Sequence, residues 1–207
     1  MVQLVPSRAD SSSHIAFRSM FAARKEIFVD LLKWDLPVLS GQYEVDQFDT
    51  PGARYIILTD KDLGHLGSVR LLPTTRPHIL DSIFSALCAG DPPRGPQIWE
   101  LTRFCLDRKL RATERRAIRN QLVTALVEFA LDNGIETYTC VAEASWLQQI
   151  LNFGWQCRLL GELQPGGASQ LGALAISISS ATPAALSAGG IWCSLRDQET
   201  SARCANG

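Results

Sequence analysis

Three carboxylates, Glu44, Asp46 and Asp49, fall within six positions just before an apolar run, ARYIILTD at residues 53–60. Alone they read as a solvated acidic turn, because acidic side chains are mostly exposed. Three arginines elsewhere change that reading. Arg70 stands in GSVRLL, where a guanidinium among apolar strand residues is costly unless a carboxylate meets it. Arg24 interrupts the apolar stripe of a helix at a core-facing position. Arg103 follows Glu100 by three in WELTRF, so on a regular strand the two face opposite ways and cannot satisfy each other. A bulge would alter that facing, and ordinary interstrand ion pairs are the plain alternative. Together the set carries both signs, which suits a zwitterionic ligand. Phe28 and Trp34 add aromatic faces that hold a cation or a planar base, or simply pack in the core.

The charge is unevenly placed. Residues 26–49 hold six acidic side chains against Lys33, whereas residues 108–119 hold Arg108, Lys109, Arg111, Arg115, Arg116 and Arg119 against Glu114. The first region suits a cation and the second an anion. Over 207 residues the formal charge is only −1, so bulk attraction to nucleic acid or to a membrane surface is not indicated. One basic run without interleaved aromatics falls short of a nucleic-acid surface. With 46% hydrophobic and 20% charged residues and mean hydropathy near zero, the chain reads as a soluble globular protein. No apolar stretch approaches the roughly 20 residues of a membrane span. The six cysteines form no C-x-x-C pair and have no histidine cluster beside them, so no metal site is expected. No secretory leader opens the chain, and a cytoplasmic location with reduced thiols is the expectation.

The elements that must position these residues can be read from periodicity. Serines 11, 12 and 13 offer a cap for an amphipathic helix running to about Trp34, ended by Pro37 and Gly41. Residues 35–51 are then a long loop carrying the carboxylates. Residues 53–60 and 65–73 are two strands joined by DKDLG, a hairpin. Residues 78–88 suggest a short helix, 90–96 a Pro/Gly-rich loop, and 98–107 a strand. That strand, if regular, sets Ile98, Glu100, Thr102 and Phe104 opposite Trp99, Leu101, Arg103 and Cys105. A long helix over 113–133 ends at Asn133-Gly134, followed by a strand at 136–142, a helix at 145–153 and strands at 155–163 and 171–179. Beyond about residue 180 only Ile191, Trp192 and Leu195 offer much to pack. The order predicts an α+β fold, a mixed and largely antiparallel sheet flanked by helices on both faces.

Four motifs in order, R-x-x-x-F-x-x-x-x-x-W (Arg24, Phe28, Trp34), E-x-D-x-x-D (Glu44, Asp46, Asp49), GSVRLLPT (residues 67–74) and WELTRF (residues 99–104), resemble the acyl-homoserine-lactone synthases, the LuxI-type autoinducer synthases of quorum sensing. The resemblance covers about residues 14–180. It implies a GCN5-related N-acyltransferase-like fold, with residues 1–180 as one synthase domain and 181–207 as a tail. It also implies a reaction: acyl transfer from acyl carrier protein or acyl-CoA to the amine of S-adenosylmethionine, then lactone closure with release of methylthioadenosine. S-adenosylmethionine is there a substrate, and no cofactor is expected. An acyl-CoA-dependent N-acyltransferase acting on another amine, and a non-catalytic carrier-protein-binding module, are the alternatives.

On this resemblance Glu100 is the expected base, and the segment bearing Thr102 and Phe104 the expected oxyanion site. Arg24, Phe28, Trp34, Glu44, Asp46, Asp49, Arg70 and Arg103 would form the S-adenosylmethionine site and its ion pairs. On an extended run Glu44 and Asp46 share a face opposite Asp49, so one part of the acidic set is expected on the arginines and another on the ligand. Leu122, Leu126, Trp146, Leu147 and Ile150, with Phe104, would line the acyl pocket, although core packing explains them equally. The basic run at 108–119 would meet the phosphopantetheine arm or the acidic carrier protein. It departs from the R-x-x-G-x-A pattern of acetyl-CoA users, having no glycine. Glu143 falls about where synthases of 3-oxo products carry Thr, which argues against such a product.

Overall fold

The computed structural model describes residues 2–5, 11–166 and 169–193. An edge strand β1 (Val2–Val5) precedes helix α1 (Ser11–Arg24), which continues as a π-helical segment, Lys25–Leu31. Short strands β2 (Val38–Leu39) and β3 (Tyr43–Glu44) come next, followed by β4 (Arg54–Thr59), β5 (His65–Pro73) and α2 (Ile79–Ser82). The second half comprises β6 (Ile98–Leu106), α3 (Ala112–Asp132), β7 (Thr137–Glu143), α4 (Ala144–Leu151), β8 (Gln156–Leu159), β9 (Gln164–Gly166), β10 (Ser169–Ser177) and α5 (Thr182–Ala188). The main sheet has the order β1-β4-β5-β6-β7-β10-β8, with β9 beside β10. Every pairing is antiparallel except β6 with β7. This is the mixed, largely antiparallel α+β fold that the sequence predicts.

The faces of the sheet differ in kind. On one side Val69, Leu71, Leu101 and Leu106 pack with Leu122, Leu126, Leu147 and Ile150 of α3 and α4 into the larger core. Gly67 permits that packing, since a Cβ there would lie 2.8 Å from Ile118 and 3.0 Å from Leu122. On the other side a smaller core of Met20, Phe48, Tyr55, Ile57 and Leu72 sits beneath α1.

Three expectations need correction. Residues 35–51 are not a plain loop: Ser40 and Gly41, both at positive φ, turn the chain into the hairpin β2–β3, which seats Glu44 in the interior. Strand β6 is not regular. One residue, Val69, lies between Ser68 and Arg70 on β5 while two, Arg103 and Phe104, lie between Thr102 and Cys105 opposite, and Arg103 takes φ 52°. This bulge puts Arg103 and Cys105 on the same face as Glu100 and Thr102, and turns Phe104 into the α3 core. The core also runs past residue 180, because Leu186 of α5 and Ile191 are buried and Trp192 packs on them. Leu195 and the rest of the expected tail lie outside the described residues. No helix among the described residues is long and apolar enough to cross a membrane.

Candidate active site

Arg24 ends the regular part of α1. The π-helical turn that follows, and Lys33 at φ 58°, carry the chain back so that the Trp34 N–H donates to the Phe28 carbonyl at 2.9 Å. Their rings then stack with centroids 5.0 Å apart, Phe28 buried and Trp34 38% exposed. Such π-helical turns frequently accompany functional sites.

Below them, three guanidiniums and three carboxylates close a ring of alternating charge. Arg24 donates to Glu44 at 2.6 Å and to both oxygens of Asp49 at 2.8 and 2.9 Å. Arg70 reaches Asp49 at 2.8 Å and forks onto Asp46 at 2.6 and 3.0 Å. Arg103 bridges Asp46 at 2.7 Å and returns to Glu44 at 3.0 and 3.2 Å. Local structure completes it: Thr102 Oγ1 accepts from Arg70 Nε, the Phe48 N–H donates to Asp46, and the Asp46 N–H and the Tyr55 hydroxyl donate to Asp49. Phe21, Phe48 and Phe28 lie under Arg24, Arg70 and Arg103, with charge-to-centroid distances of 5.0, 6.0 and 5.5 Å. Burial alone would lower the Arg24 and Arg70 pKa values, but their carboxylate partners outweigh it and raise both. Burial likewise pushes Asp49 up, and the hydrogen bonds and charges of Arg24 and Arg70 overcome it, holding the carboxyl below the usual range.

The ring therefore corrects the expected division of labour. All three carboxylates face arginines, and each is ion-paired with two guanidiniums. The positive φ of Arg103 is what lets it join, a conformation costing of the order of 1–3 kcal/mol that the surrounding contacts impose. Tyr55 is a member that the sequence reading missed. Its signal was present in the register, since the β4–β5 hairpin sets Tyr55 opposite Arg70.

Glu100 lies on the same face of β6 and outside the ring. Its side chain is fully buried, and its two oxygens accept from the N–H groups of Ile79 and Leu80, at 2.8 and 2.9 Å, at the start of α2. Burial raises its pKa to about 7, against the opposing pull of those N–H groups and Arg70. A carboxylate poised near neutrality in such a place is suited to proton transfer.

Next to Glu100 the sheet opens. Strand β6 pairs with β7 only from Ile98↔Thr137 to Leu101↔Cys140. Beyond Leu101 the parallel strands part, β6 running on to Leu106 and β7 to Glu143 without pairing with each other. Phe104 meets Trp146 of α4 at 5.3 Å, and Leu122, Leu126, Leu147 and Ile150 lie in the same core. The basic run begins where β6 leads into α3. Arg108, Lys109, Arg111 and Arg116 are exposed. Arg115 is tied to the Asp107 carbonyl, and Arg119 turns onto Asn120 and the Phe153 ring. Those two are thus partly committed to the fold. A surface cavity of about 600 Å³ opens at the other end of the sheet between Gln97, Glu136 and Ser177, and contains none of these residues.

A mixed sheet whose central parallel pair splays beside a buried acid defines the class: a GCN5-related N-acyltransferase-like fold. A sequence profile of the family described as autoinducer synthase matches residues 9–186, and the chain belongs to that family. Acyl-homoserine-lactone synthases are among its relatives. That of Pseudomonas fluorescens is 49% identical over 83 residues, 39% of this chain and 42% of that one. The match thus spans less than half of that relative's length. That of Ralstonia nicotianae is 34% identical over 170 residues, 79% of this chain and 82% of the other. Among solved structures, the CoA-dependent acyl-homoserine lactone synthase BjaI, with SAM and isopentyl-CoA, superposes with TM-score 0.82 at 26% identity, covering 91% of this chain and 87% of that one.

Proposed function

We propose that this chain is an acyl-homoserine-lactone synthase, transferring an acyl group from a phosphopantetheine thioester to the amine of S-adenosylmethionine and then releasing methylthioadenosine. The observation that carries the reading is Glu100, a buried carboxylate near neutral pKa beside the splay of β6 and β7. The family match and the BjaI complex with SAM and isopentyl-CoA support it.

In this reading Glu100 takes a proton from the substrate amine, directly or through one water. The freed amine attacks the thioester carbonyl, and the backbone N–H groups of residues 102–104 stabilise the oxyanion. The thiolate leaves; the methionyl carboxylate then attacks the carbon bonded to the sulfonium, breaking that C–S bond. The ring shapes the S-adenosylmethionine site without supplying a spare carboxylate, so the exposed face of Trp34 is the group that meets the substrate cation. The acyl chain enters toward Phe104 and Trp146. Arg108, Lys109, Arg111 and Arg116 receive the donor, an acyl carrier protein or coenzyme A. The reduced cytoplasm is the proposed site of action.

The test supplies purified protein with S-adenosylmethionine and hexanoyl to dodecanoyl donors on either carrier, with mass spectrometry as the readout. Acyl-homoserine lactone and methylthioadenosine in equal amounts are expected. Acylation of an amine without methylthioadenosine release, or no turnover on either carrier, would overturn the reading.

A further inference from the structure

The proposed reaction releases one proton per turnover. S-adenosylmethionine carries a net charge of +1, whereas the lactone, methylthioadenosine and the free thiol are neutral, so a proton balances the charge. A base that is fully buried and bound at both oxygens must hand that proton onward before it can act again.

The residue preceding the two N–H groups that hold Glu100 is His78, itself fully buried. Its Nδ1 lies 3.1 Å from the Arg76 carbonyl, which can only accept, so Nδ1 carries the hydrogen. That leaves Nε2 as a lone-pair acceptor, and among the described residues this buried nitrogen has no hydrogen-bond partner. An unmet buried acceptor is costly, a cost that is sensible where the atom has work to do. Burial also lowers the His78 pKa, which favours the neutral ring. The opposite nitrogen borders an outlet: Nδ1 is 4.0 Å from Asp81 Oδ2, and the Asp81 side chain is 26% exposed beside Arg94.

We infer that His78 is the proton exit of Glu100, with Nε2 receiving the proton through a water, as the Nδ1 proton passes to Asp81 and solvent. No electron moves and no co-reactant is needed. The imidazole returns to its starting tautomer by ring reorientation or by proton exchange with water. The charged groups bearing on the relay are Glu100 from β6, Asp81 from α2 and Arg94 from the loop before β6. His78 acts through Glu100 and has no contact with substrate in this account. The inference rests on the synthase reading.

The experiment compares wild-type protein with His78→Gln and Asp81→Asn, all full length, over a series of imidazole concentrations at constant pH and ionic strength. Wild-type turnover comes first, since its absence defeats the synthase reading and not the relay. For His78→Gln the expected result is a fall in kcat of about tenfold or more, an unchanged KM for S-adenosylmethionine, and a kcat that climbs with imidazole while the wild type stays flat. Asp81→Asn, which is partly exposed and leaves the core intact, should show a smaller version of the same rescue. A His78→Gln kcat equal to wild type, or a loss that imidazole does not restore in protein melting at the wild-type temperature, overturns the relay. Should His78→Gln not fold, an Asp81→Asn rate that is independent of imidazole and equal to wild type overturns it instead.

Discussion

Four buried carboxylates line one face of the sheet, in two environments. Glu44, Asp46 and Asp49 are each ion-paired with two guanidiniums in a closed ring of three positive and three negative groups. Glu100 meets backbone N–H groups and, among the described residues, no guanidinium directly. The same functional group is thereby locked in its charged form at Asp49 and poised near neutrality at Glu100. Carboxylates pushed apart in this way mark which one does proton chemistry and which holds structure.

Substitutions at Glu100, in the ring and at Trp34 can break or sharpen that contrast. Glu100→Gln keeps the shape but removes the proposed base, and its single amide oxygen can accept from one of the two N–H groups. Lactone formation should fall by about 10²–10⁴-fold in a variant that still folds, as read by methylthioadenosine release and a thermal melt. Removing one ring member should do the reverse, acting first on the fold. Arg70→Met leaves Asp46 and Asp49 short of a partner and should lower the unfolding free energy by about 3–5 kcal/mol in urea titrations. Arg70→Met combined with Asp46→Leu should recover part of that loss, because a removed pair leaves less uncompensated charge.

The two environments also respond oppositely to pH. The Glu100 pKa of about 7 lies above its ordinary 4.5, so its contribution to stability is present below 4.5 and lost as pH rises through 7. Glu100→Gln should therefore gain stability relative to wild type between pH 5 and pH 9, by roughly 3 kcal/mol. Asp49 is held below its ordinary 3.8, so its contribution is present above that value and fades as pH falls further. Asp49→Asn should consequently cost most near neutrality and least in acid. The smallest structural effect is expected at Trp34, which is part exposed. Trp34→Ala should change stability by no more than about 0.5 kcal/mol while raising the KM for S-adenosylmethionine.

Much of this arrangement was legible in the sequence. Strands at 54–59 and 65–73 follow from β-branched runs around DKDLG, and α3 from its apolar stripe and the Asn133-Gly134 end. The membership of the charged set was legible too, because a guanidinium in an apolar strand demands partners. What was hidden depends on contacts between distant segments. The direction of Arg103 follows from a bulge that no local propensity encodes, and without it Arg103 points into the α3 core. The assignment of every ring carboxylate to arginine depends on the β2–β3 hairpin carrying Glu44 inward. The environment of Glu100 comes from α2, a helix of four residues too short to give a periodic signal. Helix α5 was hidden by small residues, with Leu186 as its buried anchor.

The central claim is that Glu100, and not the ring, titrates during turnover. The pH dependence of kcat/KM for wild type, measured from pH 5 to pH 9 by methylthioadenosine release, tests it most directly. The account predicts a rising limb with an apparent pKa near 7 that disappears, along with nearly all activity, in Glu100→Gln. A rate flat across that range, or a Glu100→Gln variant that keeps both its activity and the same limb, would contradict it.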